Sequence, residues 1–298
     1  MEHRDAFSCY HPIVNFIYFG LVLVFSMTFT HPACLAVSLS CAVAYSLYLN
    51  GRRAVRFNLK YMIPVFVLFA LMNPAFSHEG VTILTYLPGG NPLTLESVVY
   101  GLSAAAMLIT VIIWFSCYNA VMTSDKFIYL FGRIIPSMSL ILSMTMRFVP
   151  KFKAQIKTVS NAQKCAGRDA SGGSLRERIK NGITILSILV TWALENAVDT
   201  ADSMKSRGYG LRRRTAFSIY RFDRRDRTAL IYLLICGAYI IAGACIGGLR
   251  WSYYPSMKGT AFGLFSLSLC LSYIALCAMP LILNVREDRK WNALKSTV

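Results

Sequence analysis

The chain has 298 residues, 55% of them hydrophobic and 15% charged, with a mean hydropathy of +0.49 and a formal net charge of +17. A soluble globular domain carries about 25% charged residues, so the composition argues against one. With no nucleic-acid-binding motif present, the basic excess does not read as a nucleic-acid surface either.

Residues 1–12 are short and polar. No small-residue cleavage site follows the next apolar run, which predicts a first membrane helix and not a removable signal peptide. A spanning helix needs ~20 mostly apolar residues, with ~17 near the lower limit. Residues 13–30 and 32–49 meet this, joined by a tight turn at His31-Pro32. Residues 61–76 are short but sufficient where the bilayer thins. Residues 98–118, 228–248 and 261–283 meet it clearly. These six predicted spans sort the cations: 29 Lys and Arg fall on one side and two, Arg250 and Lys258, on the other. The positive-inside rule then puts both termini and the segment 119–227 in the cytosol. The predicted organisation is four spans in 1–118, a cytosolic segment at 119–227, and two spans with a tail in 228–298. Nine cysteines form no CxxC pair and lie mostly in apolar runs, as small hydrophobes rather than a disulfide set or zinc site.

Two apolar stretches in the middle segment, 134–146 and 183–194, fall below spanning length. From Phe148, apolar residues recur at Phe152, Ile156, Val159, Ala162 and Ala166, which is helical spacing, and Pro150 is expected to kink that helix. Residues 167–173 are Gly-rich and break it. Ser174 and Glu177 then form a predicted capping box. A second stripe follows: Leu175, Ile179, Ile183, Leu186, Val190, Leu194, Ala197, Ala201, Met204. It predicts about thirty residues of helix, ~45 Å long, with Gly208 as a left-handed cap and Arg207 in the last turn. The stripes by themselves fit helices lying on each other and on lipid headgroups.

No phosphate-binding loop, HExxH or GxSxG is present, and Ser171-Gly172-Gly173 reads as a flexible connector. His78 and Glu79 read as a wet loop. Glu195, Asp199 and Asp202 read as solvated partners of nearby cations, not as acid–base groups. These residues point to no catalytic, cofactor or metal site.

The ends of the two predicted helices carry a resemblance. The run from Ala201 to Gly210, with Ser206-Arg207-Gly208 at its tip and Arg213, Arg214 and Thr215 after it, is similar to the second coupling motif of the transmembrane T component of energy-coupling factor (ECF) transporters. Arg147-Phe148-Val149-Pro150 resembles the start of that family's first coupling helix, and Ala162 to Gly167 its end. His11 to Asn15 and the following span resemble the family too. The resemblance implies an all-α polytopic protein of a bacterial cytoplasmic membrane, with two long amphipathic cytosolic coupling helices. Their Ala-Arg-Gly-type tips would dock into two ABC-type ATPases. The chain would be non-catalytic and need no cofactor. It would couple the ATPases to a small substrate-binding membrane (S) component that takes up a vitamin or transition-metal ion.

The expected docking residues are Ser206, Arg207 and Gly208 at one tip and Cys165, Ala166, Gly167 and Arg168 at the other. Ala166 stands where the family usually has arginine. Either Arg168 does that work from a shifted position, or this tip docks by shape and backbone contacts. Two other classes compete. A polytopic enzyme acting on a phosphorylated or lipid substrate would need a carboxylate or histidine cluster near a membrane face. A stand-alone channel or carrier would place charges inside its spans.

Overall fold

The computed structural model describes residues 5–77, 79–86, 92–132, 135–169, 172–209, 211, 220–259 and 263–295. His78, Ala170, Ser171, Gly210, Arg213, Arg214 and Thr215 lie outside them. The described helices are α1 (Pro12–Thr28), α2 (Pro32–Asn50), α3 (Arg52–Phe57), α4 (Ile63–Phe76), α5 (Leu95–Val121), α6 (Ser124–Gly132), α7 (Pro136–Cys165), α8 (Leu175–Ser206), α9 (Arg224–Cys245) and α10 (Leu264–Lys295). A 3-10 turn (Phe7–Cys9) precedes α1, and a π-helical turn (Asn58–Met62) joins α3 to α4. Two short antiparallel hairpins, β1–β2 (Ile83–Tyr86, Pro92–Thr94) and β3–β4 (Trp251–Ser252, Lys258–Gly259), sit in connections. The fold is all-α and polytopic, as composition and hydropathy predict. The chain divides into two compact units, Met1–Phe127 with Tyr220–Val298, and Ile128–Ile219.

In the first unit α5 packs against α1, α2 and α4, and one device starts both of the first two helices. At His11-Pro12 and again at His31-Pro32, the histidine Nδ1 accepts an amide two residues on, from Ile13 (3.3 Å) and from Ala33 (3.2 Å). Proline fills the first helical position, where no donor is needed. Burial lowers the pKa of both imidazoles, which favours the neutral, accepting form. Trp114, Tyr18, Tyr45, Tyr273, Phe7 and Phe19 form the buried centre. Their polar ends are matched internally: Trp114 Nε1 donates to Ser38 Oγ at 3.1 Å, and Tyr18 Oη to the Cys277 carbonyl at 3.1 Å. Such pairing is required where water is excluded.

The N-terminal segment is tied into this unit by buried polar groups. Asp5 accepts from Tyr45 Oη (3.0 Å) and from Asn284 Nδ2, and Asp226 accepts the His11 amide at 3.1 Å. Lys126 Nζ donates to the Ser8 and Val121 carbonyls at 2.6 and 2.9 Å. Close helix contacts use glycine. A Cβ on Gly101 would stand 2.8 Å from the Ala70 carbonyl, and one on Gly243 2.2 Å from Leu269 Cδ2. Small residues serve membrane helices in this way. All nine cysteines are free thiols.

Among the described residues six helical stretches are long and apolar enough to cross a membrane: Pro32–Asn50, Ala54–Phe76, Leu95–Val121, Leu175–Ser206, Arg224–Cys245 and Leu264–Lys295. The number equals the expected one, but the membership differs. Helix α1, at 17 residues, is a shorter apolar helix, and α8 takes its place. The expected third span is longer than predicted, because the helix already runs from Ala54. Helix α8 qualifies through one apolar window within its length. It carries Arg176, Glu177, Arg178 and Lys180 at one end and Glu195, Asp199, Asp202 and Lys205 toward the other. Only residues 181–194 between them are uncharged, short of the ~17 that a span requires.

Candidate functional site

In the second unit α7 and α8 run antiparallel. Val159, Ile185 and Leu189 form its buried cluster. Phe152 meets Trp192 edge to face, with ring centroids 5.5 Å apart. Lys151 Nζ lies 5.1 Å from the centre of that indole and donates to Asn196 Oδ1 at 2.7 Å. A cavity of 330 Å³ opens between the helices, lined by Met144, Phe148, Phe152, Trp192, Ala197 and Met204 among others. Helix α7 begins at Pro136, not near Arg147, so residues 136–146 belong to the first amphipathic helix. It passes through Pro150, which removes one backbone donor without ending the helix.

The predicted capping box starts α8. Ser174 Oγ accepts the Glu177 amide at 3.4 Å, and a Glu177 carboxylate oxygen accepts the Ser174 amide at 3.0 Å. Gly173, with φ +86°, is needed there: a Cβ would stand 2.7 Å from Glu177 Oε2. Asn181 Nδ2 donates to the Asp169 carbonyl at 3.0 Å, so the end of α7 is held against the start of α8.

The two expected tips have the same backbone. At the end of α7, Gly167 (φ +76°) donates its amide to Lys164 O at 3.1 Å, and Arg168 donates its amide to Gln163 O at 2.9 Å. At the end of α8, Gly208 (φ +75°) donates to Lys205 O at 2.9 Å, and Tyr209 donates to Met204 O at 3.0 Å. Each is a Schellman motif with glycine at the left-handed position. Superposing them by hydrogen-bond role pairs Lys164 with Lys205, Cys165 with Ser206, Ala166 with Arg207 and Gly167 with Gly208. Ala166 therefore holds the C-cap position that Arg207 holds at the other tip. Arg168 lies two positions further on, opposite Tyr209. Cys165, Ala166, Gly167, Arg168, Ser206 and Arg207 are exposed and Gly208 is half-buried. The structure does not bring the two groups together. They sit at opposite ends of a hairpin whose α8 alone has 32 residues, ~48 Å of helix.

From Leu175 to Leu194 the predicted apolar stripe of α8 is not its face toward α7; only its last members, Ala197, Ala201 and Met204, line the cavity between the two helices. Leu186 and Leu194 are 60% and 64% exposed, whereas Ile185 and Leu189 are 8% exposed. Leu175, Ile179, Ile183, Val190 and Val198 are exposed too. The α7-facing row runs through Asn181, Ile185, Leu189, Trp192, Asn196 and Thr200, whose polar members hide it from a reading based on apolar size. On α7, Phe148, Phe152 and Val159 turn inward as predicted, while Ile156, Ala162 and Ala166 do not. Lys164 and Lys205, neither among the expected docking residues, occupy one equivalent position. Each has a local carboxylate, Asp169 at 3.5 Å and Asp202 at 3.9 Å. The repeated Lys-x-x-Gly spacing was the available signal. Ion pairs this exposed contribute little to stability.

These features define a class: a multi-pass membrane protein with a long amphipathic helical hairpin, each of whose helices ends in a glycine-turned tip. Residues 12–217 match the family described as CbiQ, cobalt transport protein, and the chain belongs to that family. Among its relatives are proteins named energy-coupling factor transporter transmembrane protein EcfT. The one from Lactobacillus helveticus is 33% identical over 109 residues, 36% of this chain and 39% of the relative. The one from Listeria innocua is 29% identical over 211 residues, 64% of this chain and 78% of the relative. A third, from Staphylococcus aureus, is 26% identical over 193 residues, 60% and 71% of the two chains. Their names agree with the resemblance drawn from the helix ends.

Proposed function

We propose that this chain is the transmembrane coupling subunit of an ECF-type importer, without catalytic chemistry of its own. The observation that carries this reading is the pair of identically built, exposed helix tips at opposite ends of one hairpin, one of them bearing Arg207 at its C-cap. A guanidinium there offers a planar fork of donors suited to a carboxylate, and the glycine after it turns the chain away so that the tip can enter a groove. Two ABC-type ATPases, one per tip, would close on ATP and move the hairpin as a lever. The outward stripe of α8 would rest against a separate small membrane protein that holds a vitamin or a transition-metal ion, and the motion would reorient that protein to release its cargo inside. The division into 1–118, 119–227 and 228–298 fits this reading, and the cation distribution supports a cytosolic middle segment and cytosolic termini.

The test is affinity purification of the tagged chain in mild detergent, with mass spectrometry of what accompanies it. Two ATPases and a small polytopic protein are expected. An Arg207→Glu chain should insert normally and lose the ATPases. A complex that keeps them refutes the docking role of Arg207.

A further inference from the structure

The helix that enters α4 carries a feature the coupling role does not use. Arg52, Val55, Arg56, Leu59 and Lys60 lie along one face of α3 and the π turn, all exposed, and bound a groove of 470 Å³. Cations recur there every fourth residue, with an apolar side chain beside each step. In an α-helix of 3.6 residues per turn such a row drifts around the surface. The π turn at Asn58–Met62 holds more residues per turn and winds the row back, so Lys60 stays in line with Arg52 and Arg56. Among the described residues no carboxylate lies within ion-pair distance of these three cations; Lys60 Nζ sits 5.7 Å from the centre of the Tyr61 ring. No Asp or Glu occurs in residues 6–78.

We infer that this face binds the phosphate headgroup of an anionic phospholipid, with an acyl chain lying on Val55 and Leu59. Phosphate oxyanions suit a line of Arg and Lys. A lipid and not a free phosphate is indicated because the apolar half of the groove continues into the exposed apolar surface of α4, at Ile63, Val67 and Leu71. The helix from Ala54 to Phe76 is itself long and apolar enough to cross a membrane. Exposed Phe57 and Tyr61 stand where aromatic residues mark the membrane interface. A second basic row, Arg286, Arg289 and Lys290 on α10, has Glu287 and Asp288 between its cations. The Tyr48 hydroxyl, two residues before the end of α2, donates to Asp288 at 2.7 Å, which puts that row at the same end of the unit.

The full chain, purified and exchanged into nanodiscs of mixed phosphatidylglycerol and phosphatidylcholine, tests this by the lipid it retains. Enrichment of phosphatidylglycerol by at least about fivefold is expected, the effect of a single surface cation. It should disappear in R52Q/R56Q/K60Q, persist in R52K/R56K, and withstand millimolar inorganic phosphate. Photoactivatable phosphatidylglycerol on the unaltered chain should label residues 52–63 in preference to its phosphatidylcholine counterpart. That readout decides the matter where the triple variant fails to insert. Equal retention of both lipids, undiminished enrichment in the triple variant, displacement by phosphate, or labelling elsewhere would overturn the inference.

Discussion

Truncating Arg207 and Arg168 separately, as Arg207→Ala and Arg168→Ala, asks whether the two tips are equivalent in more than backbone. Among the described residues neither side chain takes part in a hydrogen bond or ion pair. Removing either should leave the fold unchanged to within about 0.5 kcal/mol, so a change in partner binding reports docking alone. Arg207 is exposed at the C-cap itself, before the chain turns through Gly208. Truncating one member of a buried, hydrogen-bonded charge pair costs about 2–5 kcal/mol, a loss of roughly 30-fold or more in affinity. Arg168 sits two positions beyond the equivalent point, after the chain has turned through Gly167. A charge at the rim contributes about 0.2–1 kcal/mol, so its loss should be at most about fivefold. Titrating the purified ATPase pair against each immobilised chain by interferometry, at matched salt, measures both. Undiminished affinity in Arg207→Ala, or equal losses in the two variants, refutes the assignment.

The interface within the hairpin predicts a contrast between neighbours: Leu189→Ala should cost about 2–5 kcal/mol of local stability, and Leu194→Ala less than about 0.5 kcal/mol, read as protease resistance of α7–α8 in detergent. Ser174→Ala removes the capping hydroxyl of α8, at a cost of about 1 kcal/mol. Amides 175–178 should then exchange roughly fivefold faster, and unchanged exchange there would remove the capping box from the account. The two His-Pro caps predict a pH dependence. Burial lowers His11 and His31 below the ordinary imidazole value, and each accepts through an unprotonated Nδ1. The unfolded chain therefore binds more protons than the folded one below about pH 6.5. Stability should be full above that value and decline as pH falls toward the lowered folded-state values. H11N/H31N, which keeps an acceptor at each cap without an ionisable group, should flatten the thermal-shift profile between pH 5 and pH 7; a profile that keeps its slope would place the titration elsewhere.

How far the structure could be read from the residues depended on which physical signal each part leaves in sequence. Spans are set by length and apolarity, so α2, α5 and α9 were visible to within a few residues, whereas α10 continues past the predicted end at 283 to Lys295, where charged residues end the apolar signal but not the helix. The capping box at Ser174 and the glycine stop at Gly208 are local chemistry and were legible for the same reason. The α7–α8 interface was not, because helical spacing locates a stripe without saying what covers it. Two rows on α8 have helical spacing, and the one with more apolar residues is the one left exposed. The start of α7 at Pro136 was missed because Ser and Thr residues there lowered the apolar signal, yet nothing after Pro136 breaks the helix. The equivalence of the tips required backbone φ angles and amide partners, since matching letters alone aligns Arg168 with Arg207 as readily as Ala166 does.

That equivalence bears on how the lever can work. Two identical turns present the same backbone to whatever they enter, with one lysine two residues before the C-cap in each. The side chains differ: at the C-cap itself alanine in one and arginine in the other, with Cys165 opposite Ser206 before it and Arg168 opposite Tyr209 after the glycine. Grooves that recognised only the turned backbone would bind both tips alike. A groove that also supplies a carboxylate would hold the Arg207 tip more tightly and release it more slowly, because losing a buried charge pair appears mainly in dissociation. The α8 tip would then stay seated while the α7 tip is free to slip or rock. Under the proposed coupling role, a hairpin held firmly at one end and loosely at the other would turn the closure of two symmetric motors into a one-sided tilt. A tilt of that kind is what moving a single partner on the exposed stripe of α8, as proposed, would demand.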